Sequence, residues 1–417
     1  MLKERLAKFE TFKNISTLLS GSVMAQLILL AATPVLTRIY SPADFGVLAI
    51  FIALQSIIGV IANGRYELAI TQAETQQDCQ ALVVLAVIFS VFIACLSCVL
   101  VLLFEAKILD IVGNNAVQGW LYVLPISIVL MGVFQSFNYW NIRDKKYANI
   151  SIAKVNQSFS NVAANFSLAK IQIPGFGLLI GYLFGQIVLV LGLIYRTSKS
   201  VKRLNITGTM LKKVALRYIK FPLYSMPGAL LNSAALQLPI FFISRFYDAA
   251  SVGFFHFIIR IIGGPLSLIS FSISQVFLQK LSSNSPESIA KFIGNALLFL
   301  TIVAIAFVSI LYFFGEPLIV YVFGPDWQVA GEYVKVLVFS LGIRFIVSPL
   351  SVILTLDRFL HIGVLWQLYS FLSVLFVSIA TAHLPIMDFL MYFVLQDILS
   401  YCLYLVLIIF ASKKYKG

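Results

Sequence analysis

Charge is scarce in this chain. Asp, Glu, Lys and Arg make up 11 % of its 417 residues, where a soluble protein carries roughly a quarter. So little charge is the reverse of what a soluble surface needs. Histidine is rarer still. His256, His361 and His383 are the full complement, and without ligand-like spacing they argue against a metal site. Four cysteines give no disulfide framework, and Cys95 and Cys98, three apart on one helix face, read as small core residues rather than a redox pair. No cofactor is expected. Acidic residues number 17 against 30 basic ones, a balance that invites a nucleic-acid reading. Placement removes it, because the basic residues gather in short loops beside apolar runs, as the positive-inside rule requires.

What the chain has in abundance is hydrocarbon. Hydrophobic residues reach 60 %, in continuous runs of about 20, enough to cross a ~30 Å hydrocarbon core. The fold class is therefore an all-α polytopic membrane protein. Alternating ten-residue strands are missing, which excludes a β-barrel. The first run follows Lys3, Arg5, Lys8 and Lys13 and has no small-residue cleavage site, so it reads as a retained helix. About twelve spans are expected, near 15–36, 44–64, 80–104, 118–140, 151–170, 175–195, 221–244, 252–275, 292–314, 333–353, 362–382 and 386–410.

The chain also repeats itself. Thr37-Arg38-Ile39-Tyr40, leading to Gly46, returns as Ser244-Arg245-Phe246-Tyr247, leading to Gly253, an offset of 207 positions. Gly113 and Tyr122-Val123 return as Gly324 and Tyr333-Val334, an offset of 211. Two echoes at nearly one offset argue for a duplicated unit. The expected organisation is a six-helix bundle over 1–195, a basic cytoplasmic linker over 196–220, and a second six-helix bundle over 221–417. Threading from a cytoplasmic N-terminus puts that linker, Arg143-Asp144-Lys145-Lys146 and the tail Lys413-Lys414-Tyr415-Lys416 on the cytoplasmic side. Both termini are then cytoplasmic, the loops of Arg38, Tyr40, Arg245 and Tyr247 face outward, and an even number of spans per half makes the repeats parallel.

Several spans carry polar faces that must meet one another or a wet cavity, since the bilayer core offers no water. Lys154, Ser158, Asn161 and Asn165 share one face; Asn232 marks the seventh span; His256 and Arg260 precede the break Gly263-Gly264-Pro265. Inward polar faces in both halves imply a central lumen. Gly177, Gly181 and Gly185, by contrast, read as a close-packing ridge. A charge at mid-bilayer costs about 2.5–3.5 kcal/mol, so each needs a reason. Arg65, Lys154, Arg260 and Arg344 are the candidate lumen cations, and Glu67 and Asp397 the candidate coupling-ion sites. A structural role, pairing across helices or snorkelling, stands beside the functional one for each. A lumen with more basic than acidic groups favours anionic cargo, and Arg suits phosphate or carboxylate.

Pro34-Val35-Leu36-Thr37-Arg38-Ile39-Tyr40-Ser41-Pro42-Ala43-Asp44-Phe45-Gly46 and Asn63-Gly64-Arg65-Tyr66-Glu67 resemble bacterial polysaccharide flippases. These are the O-antigen and exopolysaccharide repeat-unit translocases of the multidrug/oligosaccharidyl-lipid/polysaccharide exporter superfamily. The resemblance implies two six-helix bundles that move an undecaprenyl-pyrophosphate-linked oligosaccharide from the cytoplasmic to the periplasmic leaflet by alternating access. It implies a multi-pass protein of the bacterial inner membrane, serving lipopolysaccharide O-antigen or other surface polysaccharide biosynthesis. H+ or Na+ countertransport and polysaccharide assembly partners stay open. Two other classes compete. A multidrug cation antiporter on the same fold calls for an acid-rich lumen. A membrane enzyme of polysaccharide assembly calls for a large periplasmic loop or a reactive membrane-face His. Neither feature is present, and a non-enzyme is expected.

Overall fold

The computed structural model describes residues 2–170, 173, 175–198, 206–281, 286–355 and 357–414, with side chains from Leu19 onward except at 279–290, 355–357 and 360. The basic residues Lys3, Arg5, Lys8, Lys13, Lys199, Lys202, Arg203 and Lys416 lie outside the described side chains. Among the described residues all regular structure is helical. That follows from the composition, since a backbone in hydrocarbon must satisfy its own hydrogen bonds within each segment.

The long helices are α1 (Leu2–Leu36), α2 (Pro42–Gly59), α3 (Gln76–Val112), α4 (Leu124–Arg143), α5 (Tyr147–Ser167), α6 (Phe176–Ser198), α7 (Gly208–Arg217), α8 (Met226–Phe246), α9 (Ala249–Ile258), α10 (Gly264–Leu281), α11 (Pro286–Phe323), α12 (Gln328–Val347), α13 (Leu360–Thr381) and α14 (Ile386–Lys414). A π-helical turn, Ile259–Gly263, joins α9 to α10, and another, Phe221–Ser225, leads into α8. Among the described residues ten stretches are long and apolar enough to span a membrane, and Asn115–Leu121 with α4, bent by 60°, adds an eleventh. Each of the twelve expected spans coincides with a helix. The one that falls short on hydropathy is α5, whose Lys154, Asn161 and Asn165 give it a polar face. Apolar side chains such as Leu103, Phe313 and Phe376 point outward, as a lipid-facing surface demands.

The chain divides into two compact units, Met1–Tyr40 with Val47–Ser233, and Ser41–Gly46 with Ala234–Gly417. The division falls inside α8, past the basic stretch 196–220. In the first unit α5 packs against α1 and α6, and α3 against α4. The ridge of α6 is close-packed in fact: a Cβ on Gly177 would strike the Tyr40 hydroxyl, and one on Gly181 the Asn165 carboxamide. Helix α7 docks through Val214 onto a core containing Tyr66, Ile70, Leu82 and Trp140. In the second unit α12 packs against α11 and α14, with α13 beside α14.

The repeated loop has a structural meaning in both copies. Ser41 starts α2 with a reciprocal cap: its N–H and hydroxyl donate to Asp44 Oδ2 at 2.9 and 2.8 Å, and the Asp44 N–H donates to Ser41 Oγ at 3.3 Å. Asp248, at the matching position, caps α9 by accepting from the Ser251 N–H at 2.6 Å. The matched glycines explain each other. A Cβ on Gly46 would collide with the Ala249 carbonyl, and a Cβ on Gly253 with the Pro42 carbonyl, so the first turns of α2 and α9 cross with their backbones in contact. Gly113 and Gly324, the second echo, both take positive φ, 72° and 104°, at the end of a long helix.

Candidate functional site

The second unit holds a cavity of about 560 Å³, lined by α10, α12, α14 and the π-helical turn. Its floor is built on Arg344 of α12. The guanidinium donates from Nε to Asp397 Oδ2 at 2.7 Å and from Nη2 to Asp397 Oδ1 at 2.9 Å, a bidentate pair with a carboxylate on α14. Ser340, one turn earlier on α12, donates its hydroxyl to the same Asp397 Oδ2. Tyr401, one turn after Asp397, places its ring 5.6 Å from the guanidinium carbon. Ser267, Ser270 and Ser274, spaced along one face of α10, face the same space with Ser348. Apolar Leu266, Leu341 and Phe345 complete the walls. Arg and hydroxyls beside hydrocarbon and the rings of Phe271, Phe345 and Tyr401 suit a polar ligand that also has apolar faces.

The first unit gathers a different set. Arg65 sits in the left-handed region, φ 62°, which is strained for a residue with a Cβ. Its Nε donates to Ser225 at 3.3 Å, and Nη1 lies 3.6 Å from Glu67 Oε1. Glu67 is buried, and its Oε2 has no hydrogen-bond partner among the described residues. Burial pushes the Glu67 carboxyl above the usual carboxylate range, against the opposing pull of Arg65. Lys154 Nζ donates to Ser22 of α1 at 3.1 Å. Asn165 donates to Asn161 Oδ1 at 2.9 Å, and its backbone carbonyl accepts from the Tyr40 hydroxyl at 2.7 Å. Asn232, half-buried on α8, belongs to this unit as well.

Of the expected cations, then, Arg344 is a paired residue whose charge Asp397 balances, and Arg65 shares Glu67. Arg260 lies half-buried in the π-helical turn, four residues after His256. The carboxylate of Asp397, considered as a coupling-ion site, is engaged by Arg344 and Ser340. The repeated loops divide their labour: Arg38 and Arg245 are exposed, while Tyr40 and Tyr247 turn inward, Tyr247 donating to the Leu384 carbonyl at 2.8 Å. Ser340, Tyr401, Ser270 and Ser274 are site residues that the sequence reading passed over; of the α10 serines it placed only Ser267 on the polar face of the eighth span. The spacing of Ser267, Ser270 and Ser274 was a signal for one polar helix face. Among the described residues no cluster of three or more His, Cys, Asp or Glu forms a metal site.

The family model for polysaccharide biosynthesis proteins matches residues 35–332. A search of the curated proteins gives no match. Among solved structures the chain is similar to an inward-facing multidrug resistance MATE family transporter of the MOP superfamily, with a TM-score of 0.71, 15 % identity and 96 % of each chain covered. It is similar to lipid II flippase MurJ in an inward closed conformation, with a TM-score of 0.73, 14 % identity, and 93 % of this chain and 86 % of that one covered. A MOP superfamily transporter from Pyrococcus furiosus gives 0.60 at 15 % identity over 97 % of each chain. At such identities the likeness speaks for the fold alone.

Proposed function

Because the chain belongs to the polysaccharide biosynthesis protein family and carries the MOP fold, we propose that it is a flippase, not an enzyme. Its cargo is an undecaprenyl-pyrophosphate-linked oligosaccharide, moved from the cytoplasmic to the periplasmic leaflet of a bacterial inner membrane by alternating access. The observation that carries this reading is the cavity around Arg344, Tyr401 and the α10 serines, a largely apolar space into which spans otherwise apolar bring an Arg and several hydroxyls. A sugar offers hydroxyls to Ser267, Ser270 and Ser348 and a C–H face to Tyr401 and Phe345. Asp397 and Ser340 fix the guanidinium in place, so its remaining donors are oriented before the ligand arrives. The cations Arg65, Lys154 and Arg260 favour a cargo that carries negative charge. With the cell interior negative, moving that charge outward gains roughly 2.3 kcal/mol per charge per 100 mV, and H+ or Na+ exchange is a second source of drive.

Deletion of the gene tests the reading in cells. Lipid-linked repeat units should accumulate on the cytoplasmic leaflet while surface polysaccharide is lost. Normal surface polysaccharide together with new sensitivity to cationic dyes would instead identify a drug antiporter on the same fold.

A further inference from the structure

The π-helical turn Ile259–Gly263 has two different sides. Ile259 and Gly263 line the polar cavity described above. Ile258, Ile261 and Ile262 line a second pocket, of about 80 Å³, closed by Gly315 and Leu318 of α11 and Val334 of α12. Every residue around this second space is apolar. Water inside would find no partner for its hydrogen bonds, so the pocket is a place for hydrocarbon. The 258, 261, 262 spacing is one face of a helix, and 259, 263 and 267 run along another, so one stretch of chain separates the two spaces.

Their order along α12 adds a direction. Val334 borders the apolar pocket and Arg344 the polar cavity, ten residues apart or about 15 Å at the rise of an α-helix. With the termini cytoplasmic, as proposed, the Arg344 end of α12 is the inner one. A lipid of the inner leaflet has its head at that end and its tail pointing towards the Val334 end. The two spaces follow the same order.

We infer that the apolar pocket between the π-helical turn, α11 and α12 is a subsite for a short stretch of the polyprenyl tail, held while the glycan head occupies the polar cavity. This rests on the flippase reading and adds to it a second point of grip, which selects a carrier by its hydrocarbon. Bulk phospholipid is the competing occupant, and the two are separable.

The full chain, reconstituted in nanodiscs of dioleoylphosphatidylcholine, is illuminated with undecaprenyl diphosphate bearing a diazirine on an isoprene unit near the head. Adducts are mapped by peptide mass spectrometry. The expected result is labelling of Ile261, Ile262 or Leu318, reduced at least fivefold by a tenfold excess of unlabelled undecaprenyl diphosphate and unchanged by the same excess of dioleoylphosphatidylglycerol. Gly315→Phe, which fills the pocket against Val334, should remove these adducts; the mapping on the unmodified protein stands even if that variant folds poorly. Labelling spread over outward residues such as Leu103 and Phe313, competed equally by both lipids, would mean bulk lipid and overturn the subsite. Labelling elsewhere that only the polyprenyl competitor displaces would overturn the subsite and leave the flippase reading intact. If undecaprenyl diphosphate competes nowhere, both fall together.

Discussion

Two buried carboxylates set the behaviour expected of single residues. Asp397 holds Arg344 with two hydrogen bonds in a setting where its side chain is 5 % exposed. Removing Asp397 leaves the half-buried Arg344 guanidinium without its counter-charge, which costs up to about 3–5 kcal/mol. Asp397→Ala should therefore lower the detergent-extracted protein's melting temperature sharply, and a second change, Arg344→Met, should restore most of it. Thermal unfolding followed by size exclusion reads this directly; a single variant as stable as the parent would show that the pair is not structural. Glu67 behaves in the opposite sense. Burial raises its carboxyl above the ordinary value of 4.5, so the native state binds a proton more tightly than the unfolded chain does. Stability from this group is fully present below about 4.5 and is lost as pH rises through the raised value. Glu67→Gln should accordingly be the more stable protein at pH 7, with the difference shrinking as pH falls from the raised value towards about 4.5. A pH-independent difference would place the effect in packing instead.

Among elements, the crossing of α2 and α9 is the most demanding. Gly46 and Gly253 each lie against a carbonyl of the other helix, and neither neighbour is a flexible side chain that could move aside. Gly46→Ala and Gly253→Ala should each depress the melting temperature, by similar amounts, and the double variant should lose less than the sum, because one separation of the helices relieves both clashes. Strict additivity would mean that the two contacts are independent. This crossing was half legible in the sequence. The repeat of Arg38, Tyr40 and Gly46 as Arg245, Tyr247 and Gly253 pointed to equivalent loops, and Ser41 and Asp248 before apolar runs have the chemistry of helix caps. That the two glycines meet could not be read, since periodicity within a helix carries no information about which helix it touches. The same limit applies to the site. The polar faces of α5 and α10 follow from spacing, whereas Asp397 meeting Arg344 is a contact between residues 53 apart. Equally, α5 is visible in the sequence only as a span with one polar face; its packing against α1 and α6 is what makes that face tolerable.

For the whole molecule, the architecture follows from two large terms: apolar runs that must enter a bilayer, and a division of the chain into two compact units. Charge placement bears on the proposed cargo, since half-buried Lys154 and Arg260 suit an anion better than a cationic drug. The central claim is movement of a lipid-linked glycan across the bilayer, and one measurement addresses it. Purified protein in vesicles, loaded on one leaflet with a fluorescent undecaprenyl-pyrophosphate-linked oligosaccharide, is given an imposed membrane potential, and arrival on the other leaflet is read by a membrane-impermeant quencher. The account predicts protein-dependent translocation that speeds up when the potential favours outward movement of negative charge. Translocation no faster than in protein-free vesicles at either polarity, while a cationic dye is carried, would contradict it.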